Sequence, residues 1–211
     1  MSHKNADTVV VLDFETTGLS PNLGDRAIEI GAVLIENGRI TDRFQQLMNP
    51  GFLVNGFISS YTGISYAMLK SAPDCSSVTR EFADFVGKYN LVAHNASFDK
   101  KFLDNEMMMA GSAYSGAFAC SMLVARRLYQ NAPDHKMGTL VRYKRLPTDG
   151  VFHRALADAE MTSHLWLRML EDLEKQYQLS DVPFNLMQKL GRTAKGSVYT
   201  FLQKKARTEP A

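Results

Sequence analysis

Cysteine and tryptophan are scarce in this chain, with two of the first and one of the second among 211 residues. Cys75 and Cys120 allow at most one disulfide, which excludes a disulfide-stapled secreted scaffold and leads us to expect a reducing cytoplasm. No cysteine cluster has the spacing of a structural zinc site. No apolar stretch approaches the ~20 residues of a membrane span, so no membrane association is expected. The first residues, Met1 to Asp7, lack the apolar core of a signal peptide. Neither sign of charge dominates: 24 Lys and Arg against 22 Asp and Glu give a net charge of +2. A general polyanion binder would be far more lopsided. Internal repeats and low-complexity blocks are missing as well.

A chain of this length, 45% hydrophobic, can bury one good-sized core with room for a tail. Periodicity predicts an α/β organisation. A strand begins near Thr8, and two more, Arg26 to Glu36 and Arg39 to Met48, are joined by Asn37-Gly38, a hairpin signal. That makes a three-stranded antiparallel start. Helices are predicted over Ser76 to Lys88, from Ser97 past Met107, over Ser121 to Tyr129, near Met137 to Lys144 and over Ala155 to Leu173. Short strands fall at Leu91 to Ala93 and near Ala117. Residues 1–176 read as the main domain. Residues 177–211 read as a basic extension that docks a polymerase or clamp, adds an element to the domain, or makes a dimer contact.

Five residues stand where a protein without a ligand has little use for them. Asp13 and Glu15 end the apolar run Val9-Val10-Val11-Leu12, and side chains two apart on a strand share a face. Two like charges there repel and are costly to desolvate, unless the strand end is simply solvated. Asp99 follows Ser97, a candidate N-cap, with Phe102, Leu103 and Met107 on the same helical stripe. An Asp in a first turn also suits the helix dipole, so both readings stay open. Asp158 is stronger: Thr162, Leu165, Trp166, Met169 and Leu173 share its face of a long helix. A carboxylate on that buried side needs a cation or donors. His153 converges with it only from the loop before the helix, since five residues within a helix splay by roughly 140°.

Four carboxylates and an imidazole suit two divalent metals, Mg²⁺ or Mn²⁺, which favour oxygen ligands. Such a pair stabilises the attacking and leaving oxygens of an in-line displacement at phosphorus, and a nearby imidazole can take the proton of the attacking water.

Asp13-Phe14-Glu15-Thr16-Thr17-Gly18, His94-Asn95-Ala96-Ser97-Phe98-Asp99 and His153-Arg154-Ala155-Leu156-Ala157-Asp158 resemble the three exonuclease motifs of the DEDDh family. Ala27-Ile28-Glu29-Ile30-Gly31-Ala32-Val33, Tyr61-Thr62-Gly63-Ile64 and Cys120 to Arg127 also look like family segments, in family order. The resemblance spans roughly residues 7 to 175. It implies a ribonuclease H-like mixed sheet flanked by helices, and a 3′→5′ exonuclease releasing nucleoside 5′-monophosphates. It also implies that Asp13, Glu15 and Asp158 ligate one metal, that Asp13 touches the second, and that Asp99 holds the site. His153 would be the general base. Thr16, Thr17, Gly18 and Leu19 would line the 3′-terminal nucleotide, with Thr62, Ile64 and Phe98 against the last bases. For Phe98 the competing reading is packing under the helix start; for Thr62 and Ile64 it is an ordinary turn. His94 and Asn95 brace their loop.

Substrate choice within the family is by analogy: the segments look closest to the proofreading group of bacterial replicative polymerases, which favours the 3′ end of single-stranded DNA. RNA trimming by the same five residues is the alternative. A non-catalytic nucleic-acid-binding adaptor is the other, though a pure binder has no need of four costly carboxylates. Two basic stretches could track a phosphate backbone or be ordinary solvated surface. One runs from Arg126 and Arg127 through Lys136 to Arg142, Lys144 and Arg145. The other runs from Lys189 to Arg207, with Glu209 as its one acidic neighbour.

Overall fold

The computed structural model describes residues 5–148, 150 and 153–207. Met1 to Lys4, on which most of the signal-peptide reading rests, and Glu209 lie outside the described residues.

A single sheet carries the site. Its strands are β1 (Val9–Thr16), β2 (Ala27–Glu36), β3 (Arg39–Leu47), β4 (Asn90–Ala93) and β5 (Phe118–Cys120), in the spatial order β3-β2-β1-β4-β5. The first three are antiparallel neighbours, whereas β4 runs parallel to β1 and β5 parallel to β4. The β2–β3 turn has Asn37 at φ 49° and Gly38 at φ 74°. Both are left-handed, as a two-residue turn matched to strand twist requires.

Alternation along β1 divides the core in two. Val10, Leu12 and Phe14 face one layer, built by α3 (Cys75–Val86) and α4 (Ser97–Ala110) through Val78, Phe82, Phe102 and Leu103. Val9 and Val11 face the other. That second layer holds α5 (Ser121–Leu128), α6 (Met137–Lys144), α7 (Ala155–Tyr177), α8 (Phe184–Arg192) and α9 (Val198–Ala206). Trp166 of α7 is fully buried there, and its indole N–H donates to Ala6 O at 2.7 Å. Fully burying one large apolar side chain contributes roughly 1.5–3 kcal/mol, so these two layers dominate the stability.

Two features depart from the sequence reading, and a third, the segment after Tyr177, follows one of the alternatives left open for it. Ser97 is not a cap: Ala96 holds the N-cap position of α4 and no side chain caps it. The chain enters instead through a tight turn in which Asn95 is left-handed and Phe98 N–H donates to Asn95 O. Two short helices, α1 (Gly56–Thr62) and α2 (Tyr66–Lys70), occupy a stretch for which no helix was expected. The segment after Tyr177 folds back as α8 and α9, and its Leu179, Phe184, Met187, Leu190 and Leu202 enter the same core as Trp166. Part of the central basic stretch is also committed within the fold: Lys144 pairs with Asp172 at 2.8 Å, and Arg127 donates to Thr193 O. Cys75 and Cys120 are both free. Among the described residues, no helix is long and apolar enough to cross a membrane.

Candidate metal centre and substrate cleft

β1 outruns its parallel neighbour. Its pairing with β4 ends at Val11 opposite Val92, whereas pairing with β2 continues to Thr16. The last turnings of β1 are therefore open on one side, and this overhang carries Asp13 and Glu15. They share a face with Val9 and Val11, the face on which α7 packs. Gly31, opposite Asp13 on β2, makes that packing close. A Cβ on Gly31 would fall on the main chain of Ala155 and Leu156. The first turn of α7 thus lies directly on the strand, and Asp158 reaches the β1 carboxylates. Ligand atoms of Asp13, Glu15 and Asp158 all lie within 4.8 Å of one another.

Asp99 approaches from the other layer. It is almost fully buried and accepts hydrogen bonds from its own N–H and from Phe14 N–H, the strand amide that β4 does not reach. His153 lies on the loop before α7 with left-handed backbone, φ 62°. Its N–H donates to Asp158 Oδ2 at 2.9 Å, and its ring packs on Tyr61 with centroids 4.1 Å apart. All five residues thus converge on one region from β1, α4, the His153 loop and α7.

The electrostatics of this group call for a cation. Burial, reinforced by Asp99, Asp158 and Glu15, holds Asp13 far above the usual carboxylate range. Glu15 is pushed up to about 8, chiefly by burial and then by Asp158. Asp99 is pushed up to about 7 by burial, against its own backbone hydrogen bonds. Burial raises Asp158 too, while the His153 N–H opposes it. The cation acting on Glu15, Arg154, is turned towards another carboxylate. An all-oxygen, negatively charged donor set of this kind fits hard divalent ions such as Mg²⁺ or Mn²⁺.

That other carboxylate is Glu29, a residue to which the sequence reading gave no role. It is completely buried in β2. Arg154 Nε and Nη2 donate to it at 3.1 and 2.7 Å, Ala155 N–H at 3.1 Å and Gln45 Nε2 at 2.9 Å. Glu106 of α4 repeats the pattern. Arg26 Nε and Nη2 donate to it at 2.8 and 2.7 Å, and Ala27 N–H at 3.2 Å. One brace fixes the start of α7, which carries Asp158; the other fixes α4, which carries Asp99. A glutamate inside the apolar run Ala27-Ile28-Glu29-Ile30 was the available signal.

Asp13, Glu15 and Asp158 form one wall of a cleft of about 620 Å³, with Asp99 buried behind them; its other walls include Thr16, Gly18, Leu19, Phe57, Ile58, Tyr61, Thr62, Phe98 and His153. Phe57, Ile58 and Tyr61 come from α1, which explains why Phe57 and Ile58 were not anticipated. Leu19 and Phe57 stay exposed, 74% and 70%. Thr16 Oγ1 donates to Gly18 O at 2.7 Å, bracing the loop that Leu19 caps. A Cβ on Gly18 would fall on the Asp25 carboxylate, which would have to move aside. Two expected contacts lie elsewhere. Thr17 is not on the cleft wall; its hydroxyl accepts from Arg26 N–H and reaches towards Asp25. Ile64 is fully buried with Ile28, Val54 and Leu69, because the turn after α1 points it inward. It supports the cleft from behind and touches nothing within it. Thr62 lines the cleft, but its hydroxyl is occupied by Ile58 O and Ile64 N–H. His94 braces its loop: its ring nitrogens bond Ser121 Oγ and His135 O, and burial lowers it to about 4.

A family model described as Exonuclease matches residues 10–165. The chain is 38% identical over 166 residues to a DNA polymerase III PolC-type of Caldanaerobacter subterraneus subsp. tengcongensis, covering 79% of this chain and 12% of that protein. It is 32% identical over 175 residues to DNA polymerase III subunit epsilon of Aquifex aeolicus, covering 82% of this chain and 86% of that one. Thus the chain spans only an eighth or so of the PolC-type protein, but most of the epsilon subunit. Among solved structures it is similar to the nuclease domain of 3′hExo, described as a DEDDh family member bound to rAMP. That likeness has a TM-score of 0.68 at 24% identity, covering 79% of this chain and 92% of that one. It shows the fold, the ribonuclease H-like mixed sheet with flanking helices.

Proposed function

Because this chain belongs to the exonuclease family, we propose that its cleft removes nucleotides from the 3′ end of a polynucleotide, single-stranded DNA by preference, releasing nucleoside 5′-monophosphates. The observation that carries this reading is the convergence of Asp13, Glu15 and Asp158 within 4.8 Å on the wall of an aromatic-lined cleft. These three would hold a divalent cation, Asp13 would share a second, and Asp99 would secure the group from below. Bound Mg²⁺ or Mn²⁺ supplies positive charge to offset the phosphodiester and the charge that develops at phosphorus.

The chain's own groups do the rest. His153, held by its N–H on Asp158 and by its ring on Tyr61, takes the proton of the water that attacks phosphorus. The bond to the 3′-oxygen of the preceding nucleotide breaks, leaving a strand shorter by one. Leu19, Phe57, Tyr61 and Phe98 present apolar faces on which bases stack without sequence readout, at ~1–3 kcal/mol per base. The names of the two polymerase III relatives favour DNA and a partnership with a polymerase; a clamp as partner and a cytoplasmic location are proposed from the sequence alone. The rAMP bound to the similar nuclease domain supports RNA as the second reading.

A time course on 5′-labelled single-stranded DNA and matched RNA, in Mg²⁺ or Mn²⁺ with Asp13→Ala as control, tests this. The expected result is a ladder shortening from the 3′ end, stronger on DNA and absent in the control. Metal-dependent cleavage of neither strand would sink the reading.

A further inference from the structure

A second depression lies across the first turn of α4 from the cleft. Phe98 lines the cleft; its neighbour Ser97 lines this groove, together with Lys100, Cys120, Gln188 and Arg192. Since β1, β4 and β5 are parallel, both depressions sit at the carboxyl-terminal ends of strands. The groove holds about 180 Å³. Its far rim is α8, seated against the sheet edge by the Gln188 amide, which donates to Phe118 O at 2.7 Å.

The charge on the two rims differs. Lys100 is committed to Asp104 at 2.6 Å. Arg192 is exposed and, among the described residues, has no acidic partner. It belongs to a stretch, Val182 to Arg207, that carries six cations and no carboxylate in a chain whose net charge is +2. The Arg192 guanidinium thus borders a groove separated from the cleft by the first turn of α4. A guanidinium there suits a phosphodiester, whose oxygens match its fork of donors.

We propose that this groove holds the sugar-phosphate backbone of the strand upstream of the cleft, with Arg192 as its phosphate contact. The proposal rests on the nuclease reading of the cleft. A helix with its side chains is ~10–12 Å across, farther than the single internucleotide step of a dinucleotide held on the carboxylates. A dinucleotide in the cleft therefore falls short of Arg192, and a longer strand reaches it.

The test measures binding by fluorescence anisotropy to the full chain, with Asp13→Ala present throughout to block hydrolysis. The probes are a 5′-labelled single strand of about 12 nucleotides and a labelled dinucleotide. Adding Arg192→Ala is expected to weaken the longer strand about tenfold, lower its salt slope by about 0.7 and leave the dinucleotide unchanged. Lys189→Ala has the same charge loss on the same helix but lies off the groove, and it should change neither. Equal losses from Arg192→Ala and Lys189→Ala would reduce the effect to general charge and overturn the proposal. So would no loss from Arg192→Ala, equal loss on both probes, or a longer strand binding no tighter than the dinucleotide. Binding is read without turnover, so failure of the nuclease reading would appear separately, as absence of 3′-end shortening by the unmodified chain.

Discussion

Replacing Glu29 by Gln keeps the side chain's shape but removes its charge and one of its two acceptor oxygens. The amide then presents N–H groups where Arg154 and Ala155 also present donors. Breaking a buried ion pair costs about 3–5 kcal/mol. Arg154 is 37% exposed and can turn to water, so the low end, ~3 kcal/mol, is expected. At ~2–4 °C per kcal/mol for a chain of this size, melting should fall by roughly 6–12 °C. The start of α7 loses its anchor, so Asp158 and His153 should drift; a shift of ~1 Å costs about 10²-fold in turnover. Arg43→Ala is the control. It breaks an equally short pair with Glu160, at 2.6 Å, but with side chains 51% and 31% exposed, where ~0–1 kcal/mol is at stake. The assays are calorimetric melting and single-turnover hydrolysis well below the melting range. If Glu29→Gln melted within ~2 °C of the parent and kept turnover within about threefold, Glu29 would not position α7.

Stability without metal should depend on pH in an unusual sense. Glu15 rises from an ordinary 4.5 to about 8 and Asp99 from 3.8 to about 7, so the folded state holds these protons more tightly than the unfolded one. Their contribution is full below about pH 4 and is lost as pH rises towards 8. Metal-free melting should fall across that window, and Mn²⁺ should restore more at pH 8 than at pH 6; a metal-free melt that rises steadily across it would refute the assignment. Asp13→Ala, Glu15→Ala or Asp158→Ala should each nearly abolish turnover while leaving the metal-free melt equal or higher, because each relieves repulsion. His153→Ala should lose turnover but keep metal-induced stabilisation; near-normal turnover from about pH 6 to 9 would remove it as the base. Phe98→Ala should chiefly raise KM, and an unchanged KM would return Phe98 to the core.

Much of the architecture was legible because strong local signals agreed with the tertiary outcome. The Asn37-Gly38 turn, the apolar run of β1 and the apolar stripe of α7 all appear where the sequence puts them. The segment around α1 and α2 was not legible, since helices of seven and five residues are marginal alone and depend on Asn55 and Ser65 caps and on burial of Ile64 and Leu69. Ile64 itself shows the limit of reading a side chain's direction from a turn. Convergence of the five acidic and imidazole positions could be anticipated from type and spacing. The Glu29 and Glu106 braces could not, because their partners lie 125 and 80 residues away in sequence.

Those two braces anchor on one strand. Glu29 belongs to β2, and Glu106 is gripped by Arg26 and Ala27 where β2 begins. Both carboxylate-bearing helices, from opposite layers, are therefore referenced to a single beam. Asp99 and Asp158 are thus held in register with the same strand although they come from opposite faces of the sheet. The relative placement of Asp99 and Asp158, on which the proposed cation site depends, is thereby set by one strand rather than by two separate layers.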